Sequence, residues 1–167
     1  MQNNRPQTIR LAIAGLTASV YIALTLGLAP LSFGSIQIRF AEILNLMAFI
    51  DPIYGAGVVL GCLISNIFSP FGLLDAAVGT ICSALAVFAI AKSKSLLVAS
   101  LWPIAANIPV ALMIAFMTET PIWFNIASVG AGELIAVTCL GYPLFRLLTS
   151  SKPIMDILSQ PRKTKEL

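Results

Sequence analysis

The sequence predicts an all-α integral membrane protein: a compact bundle of six transmembrane helices with both termini cytoplasmic. Three observations predict it. The 167 residues are 58% hydrophobic and only 10% charged, with a mean hydropathy of +0.94, whereas soluble domains carry roughly 25% charged residues. Uncharged runs cover 11–38, 52–74, 76–91 and 95–118, and 120–145 is broken only by Glu133. A bilayer core takes ~20 apolar residues per helix, so most of these runs are long enough to span. The third observation is that Lys and Arg gather on one side of the expected topology.

Helix 1 is expected at 8–29, after the opening MQNNRPQTIR. No small-x-small cleavage site follows near residue 25, so this segment is read as a retained helix rather than a signal peptide. LAPLSFGS (28–35) interrupts the apolar run and helix 2 follows at 37–50. The tight turn in IDPIYG (50–55) leads into helix 3 at 53–69, and FSPFG (68–72) into helix 4 at 72–91. AKSKS (91–95) precedes helix 5 at 96–117, and TETPIW (118–123) precedes helix 6 at 122–147. Helices 2 and 3 are short, and one bent hairpin of tilted helices fits them as well as two clean spans. Residues 148–167 form a cytoplasmic tail, too polar to span, with a short surface helix around 154–158. All 167 residues belong to a single membrane domain.

With the N-terminus inside, the cytoplasmic segments hold Arg5, Arg10, Lys92, Lys94, Arg146, Lys152, Arg162, Lys163 and Lys165, nine of the ten Lys and Arg. Arg39 alone falls outside, which satisfies the positive-inside rule with an even number of helices. The net charge of +3 is therefore a topology signal, and the basic PRKTK tail faces lipid headgroups rather than nucleic acid. Cys62, Cys82 and Cys139 lie in apolar segments without a CxxC pair, and the chain has no His. They read as small buried hydrophobes, not as metal ligands or disulfides.

Within this topology the polar residues fall in the outer half or at mid-depth. Arg39 and Glu42 stand three apart at the outer end of helix 2, with Asn45 one step further along the same face. Asn66 is near the outer end of helix 3, Asp75 is in the first turn of helix 4, and Trp123 and Asn125 are at the outer start of helix 6. Asn107 is midway along helix 5, and Glu133 is near the membrane middle. A charge at a helix centre costs ~2.5–3.5 kcal/mol or more, so these groups must face inward.

Each has a plainer reading beside the binding one. Arg39 and Glu42 make a binding clamp at a cavity mouth or a local salt bridge, and Glu133 a ligand acceptor or an interhelical contact. Gly130 and Gly132 leave room beside Glu133. Trp123 is a stacking ring or an interfacial belt residue. Asp75 is a site carboxylate or a complement to the helix dipole. Asn66 and Asn107 bind ligand or bridge helices, and Asp51 is simply solvated. On helix 1, Ala14 and Ala18, then Gly15, Ser19 and Ala23, make small-residue rows, for packing within the chain or for a docking partner. No GxxxxGK[ST], HExxH or GxSxG is present. Neither ATP hydrolysis nor familiar hydrolase chemistry is encoded, no enzyme activity or cofactor is expected, and any pumping is driven by another chain or an ion gradient.

Six short helices, a small-residue strip on helix 1 and no motor resemble the substrate-binding S components of energy-coupling-factor (ECF) transporters. LAPLSFGSIQIRFAEILNLMAFI, GCLISNIFSPFGLLDAAVGT and PIWFNIASVGAGELI look like the queuosine-precursor (QueT) family of S components, in order over residues 11–147. The resemblance implies capture of a 7-deazaguanine, a queuosine precursor or queuine, from outside the cell. It also implies docking through Ala14 and Ala18 onto a membrane coupling subunit that carries two ATPases, whose work topples the S component and releases the ligand inside. For such a ligand Glu133 suits the guanine edge, Arg39 and Asn107 the carbonyl, Trp123 the ring face, and Glu42 or Asp75 an aminomethyl cation. Residues 30–37 form a lid with Gly34 as hinge. The residue types alone also admit an S component for another heterocycle, such as a vitamin or pterin. An ion-coupled carrier with Glu133 and Asp75 titrating, and a structural membrane subunit, fit as well.

Overall fold

The computed structural model describes residues 6–34 and 37–159. Arg5, Arg162, Lys163 and Lys165 of the topology argument, the PRKTK tail, and Ser35 and Ile36 of the expected lid lie outside the described residues. Among the described residues all regular structure is helical. In order come α1 (Gln7–Gly27), the short α2 (Ala29–Ser32), a 3-10 helix (Phe40–Phe49), α3 (Pro52–Asn66), α4 (Leu73–Lys92), α5 (Leu96–Ala106), α6 (Ile108–Thr118) and α7 (Ile122–Glu133). A π-helical stretch (Leu134–Gly141), α8 (Tyr142–Ser150) and α9 (Lys152–Ser159) follow.

Local chemistry accounts for the breaks. Asp51 caps α3, its carboxylate accepting from the Ile53 N–H at 3.0 Å with Pro52 beginning the helix. It is buried, so it is not the freely solvated turn residue the sequence suggests. Gly72 takes φ +54 just before α4, a left-handed conformation that costs glycine little. Glu119 ends α6 at φ 55, and Pro121 precedes α7.

The expected fifth helix is broken at Asn107, because Pro109 supplies no N–H and its ring crowds the carbonyl four residues back. It still counts as one apolar stretch of 23 residues. The sixth is longer than expected, continuing through the π stretch and α8 to Ser150 as one helix of 29 residues. In all, four helices are long and apolar enough to cross a membrane: Gln7–Gly27, Leu73–Lys92, Leu96–Thr118 and Ile122–Ser150. Phe40–Phe49 and Pro52–Asn66 are apolar but shorter than the ~20 residues a straight span needs.

Those two short helices sit at the centre. α3 lies against α1 so closely that a Cβ at Gly57 would be 2.5 Å from the Ala14 carbonyl oxygen, and one at Gly61 2.8 Å from the Tyr21 Cβ. Ala14 and Ala18 are consequently buried, at 9% and 4% exposure. The row they form packs within the chain, the plainer of the two readings the sequence allows. The neighbouring row of Gly15, Ser19 and Ala23 is the exposed one. Tyr21, Leu46, Val58, Cys62, Ile90 and Val137 fill the core, while Leu11, Leu73 and Phe116 face outward. Cys139 is exposed, against the expectation that all three thiols are buried.

Candidate functional site

The 3-10 geometry builds the first layer of the site. With three residues per turn, Arg39, Glu42 and Asn45 stack in one row, and all three are buried. Glu42 is fully engaged: one carboxylate oxygen accepts from the Tyr21 hydroxyl at 2.5 Å and the other from the Asn45 amide. The Arg39 guanidinium is 3.8 Å from Glu42, an ion pair too long to be a hydrogen bond. It also lies 5.4 Å from the centre of the Phe33 ring, a cation–π distance. Arg39 Nε and Nη2 are buried with no hydrogen-bond partner.

A second layer comes from α7. The side-chain amide of Asn107, the residue between α5 and α6, donates to Glu133 Oε1 at 2.7 Å. Glu133 Oε2 is buried without a partner. The π stretch begins at the next residue, and such irregularities are frequent at functional sites. Gly132 does not open a pocket beside this carboxylate, as the sequence suggests; a Cβ there would collide with the Gln37 carbonyl, so the glycine admits the extended 37–39 backbone. Gly130 faces Ile104 instead.

Beside these layers lies a cavity of about 410 Å³, within the ~300–1,000 Å³ usual for small-molecule sites. Its walls come from Phe33, Gly34 and Gln37, from Phe71 and Asp75, from Ile114 and Thr118 at the end of α6, and from Phe124, Asn125, Ser128 and Val129 of α7. Phe33 joins it to Arg39, and Val129 is one helical turn from Glu133. Asp75 and Lys92 stand 17 residues apart on α4, ~26 Å at 1.5 Å per residue, so the cavity and the basic 92–94 turn are at opposite ends of the bundle. Asp75 is 2% exposed and its Oδ1 has no partner. Glu42 and Asp75 both interact electrostatically with Arg39, as does Glu133.

The structure thus brings Arg39, Glu42, Asn107 and Glu133 into one buried polar interior and puts Asp75 and Asn125 on the cavity wall. Asn125 is partly committed, donating to Thr120 at 2.7 Å and to the Pro121 carbonyl at 3.1 Å. Asn66 bridges helices, donating to the Asp75 carbonyl at 3.3 Å, while its own Oδ1 stays unpaired. Trp123 is 72% exposed and does not line the cavity; its ring meets only the edge of Phe124, at 6.2 Å. The rings on the cavity are Phe33, Phe71 and Phe124. Sequence reasoning missed these because phenylalanine in an apolar run carries no signal of its own, and missed Tyr21 because its partner is 21 residues away.

A family profile described as QueT transporter matches residues 11–150, which contain every residue of the site. The chain belongs to the QueT transporter family. It is a multi-pass membrane protein of a transporter family, not an enzyme. It is also 38% identical over 77 residues to a protein of Lactococcus lactis subsp. cremoris (strain MG1363) named queuosine precursor transporter QueT. The matched stretch spans 45% of each chain, so the similarity covers less than half of that relative. No solved structure matches.

Proposed function

We propose that the protein is the substrate-binding S component of an ECF-type importer, capturing a queuosine precursor or queuine outside the cell. In this reading the bundle makes six passes with both termini cytoplasmic, the two short central helices tilting or bending to complete the count. Partner subunits, a membrane coupling protein and two ATPases, supply the energy.

The observation that carries the binding role is the set of unpartnered polar atoms in the interior: Arg39 Nε and Nη2 and Glu133 Oε2. The Arg39 charge is met by Glu42 at 3.8 Å, but these buried atoms still lack hydrogen bonds, which costs free energy in a membrane bundle and which a ligand would relieve. A 7-deazaguanine complements them. Its ring N–H and exocyclic amine donate to Glu133, its carbonyl accepts from Arg39, and phenylalanine rings on the cavity wall cover its faces. The family and the name of the Lactococcus relative support this ligand class. The position of the cavity supports outside capture, since it opens at the end away from Lys92 and Lys94.

Calorimetric titration of the purified protein in nanodiscs with queuine, 7-aminomethyl-7-deazaguanine, guanine and several vitamins tests the proposal. A deazaguanine should bind at nanomolar to micromolar Kd, with guanine far weaker. In Glu133→Gln that affinity should fall at least tenfold, about 1.4 kcal/mol. Tight binding of a vitamin instead would discard the cargo, and an unaltered Kd in a folded Glu133→Gln protein would discard the role of the carboxylate.

A further inference from the structure

We propose that α9 is an interfacial anchor: it lies in the membrane surface at the Lys92 end of the bundle, sets Pro153, Ile154 and Ile157 among lipids, and is drawn to anionic headgroups by the basic residues that flank it in the sequence. This goes beyond the S-component reading and is independent of the cargo, since it needs only that the chain spans a membrane. On the topology proposed above, the surface is the cytoplasmic one.

α9 (Lys152–Ser159) does not leave the bundle as a polar tail would. Tyr54, in the first turn of α3, donates its hydroxyl to the Leu158 carbonyl at 3.1 Å. That carbonyl is one of the last-turn acceptors a helix leaves without an internal partner. Gly55, next to Tyr54, lies against Val87 of α4 so tightly that a Cβ would collide with its side chain. α9 is thereby tied to the end of the bundle where α4 finishes at Lys92.

At about 3.6 residues per turn, α9 presents three faces. Met155 and Leu158 are half-buried toward the bundle. Ile154 and Ile157, with Pro153 between them around the turn, are exposed, the isoleucines at 36% and 70%. Lys152 and Asp156 are exposed on the third, polar face. Water alone would leave the second face without a favourable medium, and burial in protein or lipid would do the same to the third. All three are matched only where bundle, bilayer and water meet, with the helix ~5–10 Å into the boundary between headgroups and acyl chains.

Two further features name lipid as the occupant of the second face. It continues a lipid-facing surface: Leu144 and Leu147 of α8 are 47% and 71% exposed at the end of the Ile122–Ser150 span, and α9 starts two residues after that span ends. The charge also complements an anionic surface. Residues 146–167 contain Arg146, Lys152, Arg162, Lys163 and Lys165 against Asp156 and Glu166, and Lys92 and Lys94 are exposed at the same end.

Nitroxide quenching reads which face meets lipid. In the full-length protein carrying Cys139→Ser, the remaining Cys62 and Cys82 are buried, so an environment-sensitive maleimide dye reports on Ile154→Cys, Ile157→Cys or Asp156→Cys taken one at a time. The nanodiscs contain phosphatidylglycerol and phosphatidylcholine, part of the latter with a nitroxide high on its acyl chain. Dye at 154 and 157 should be quenched at least about threefold more strongly than dye at 156. In unlabelled wild-type protein, amide hydrogen exchange over 152–159 should quicken at least about threefold when phosphatidylcholine replaces all the phosphatidylglycerol, and this measurement carries the test if a labelled variant misfolds. Equal quenching at the three positions, quenching at none, or exchange indifferent to lipid charge would overturn the anchor. Positions 154 and 157 that stay wet in nanodiscs and become shielded only when the coupling and ATPase subunits are added would give the face to a protein and overturn it too. Each of these failures leaves the S-component reading standing, because ligand titration is measured separately.

Discussion

At the level of single residues, the interior is held by short polar contacts whose partners are distant in sequence. Glu42 depends on Tyr21, a fully buried residue of α1. Tyr21→Phe removes one donor to a buried carboxylate and should lower stability by about 1–3 kcal/mol, read as a reduced Tm in nanodiscs. Asn45 and Arg39 still hold the carboxylate, so ligand affinity should change much less, and a Tm equal to wild type would mean that the hydroxyl is not holding Glu42. The charged members of this network were legible in the sequence, because Arg39, Glu42, Asp75 and Glu133 stand out from an apolar background. Which of them is saturated and which is free was not. That depends on Tyr21, Asn45 and Asn107, neutral residues whose partners are fixed only when helices meet. For Trp123, whose chemistry suited either stacking or an interfacial belt, the place on α7 turns the ring outward.

At the level of elements, apolar length and Pro or Gly punctuation marked where helices begin and end, while helix type escaped. Arg39, Glu42 and Asn45 were expected on one face at a spacing of three, yet nothing in FAEILNLMAF announces ten residues of 3-10 helix. Tertiary packing overrides the α-helical preference there, and the reward is a straighter polar row. The π stretch after Glu133 was equally silent. The small-residue rows of α1 were visible, but periodicity does not tell which row meets α3. Gly57 and Gly61 on the facing helix choose Ala14 and Ala18. Gly57→Val should therefore force α1 and α3 apart. Overpacking of this kind costs about 1–3 kcal/mol, and thermal unfolding in detergent should show a lowered Tm, whereas an unshifted Tm would mean the two helices are not packed as described.

At the level of the whole molecule, the fold class was legible because it follows from composition: a chain this apolar must put lipid-compatible side chains outside and its few charges inside. The same rule makes an exposed strip of small residues informative. Gly15, Ser19 and Ala23 are exposed on α1, as are Leu11 and Leu16 nearby, and a Cβ built at Gly15 meets nothing within 4 Å. Close helix contact needs such a surface, so on the S-component reading it is this row that approaches the coupling subunit, while Ala14 and Ala18 in the neighbouring row pack against α3. The two roles separate experimentally. Gly15→Leu and Ser19→Leu should fold, bind ligand with wild-type affinity and fail to co-purify with the coupling subunit. Ala14→Leu should lower Tm before any docking defect can be scored, because its side chain would press on Gly57. Full co-purification of Gly15→Leu and Ser19→Leu would move the docking face away from α1, and a well-folded Ala14→Leu that alone loses the partner would restore the row first expected from the sequence.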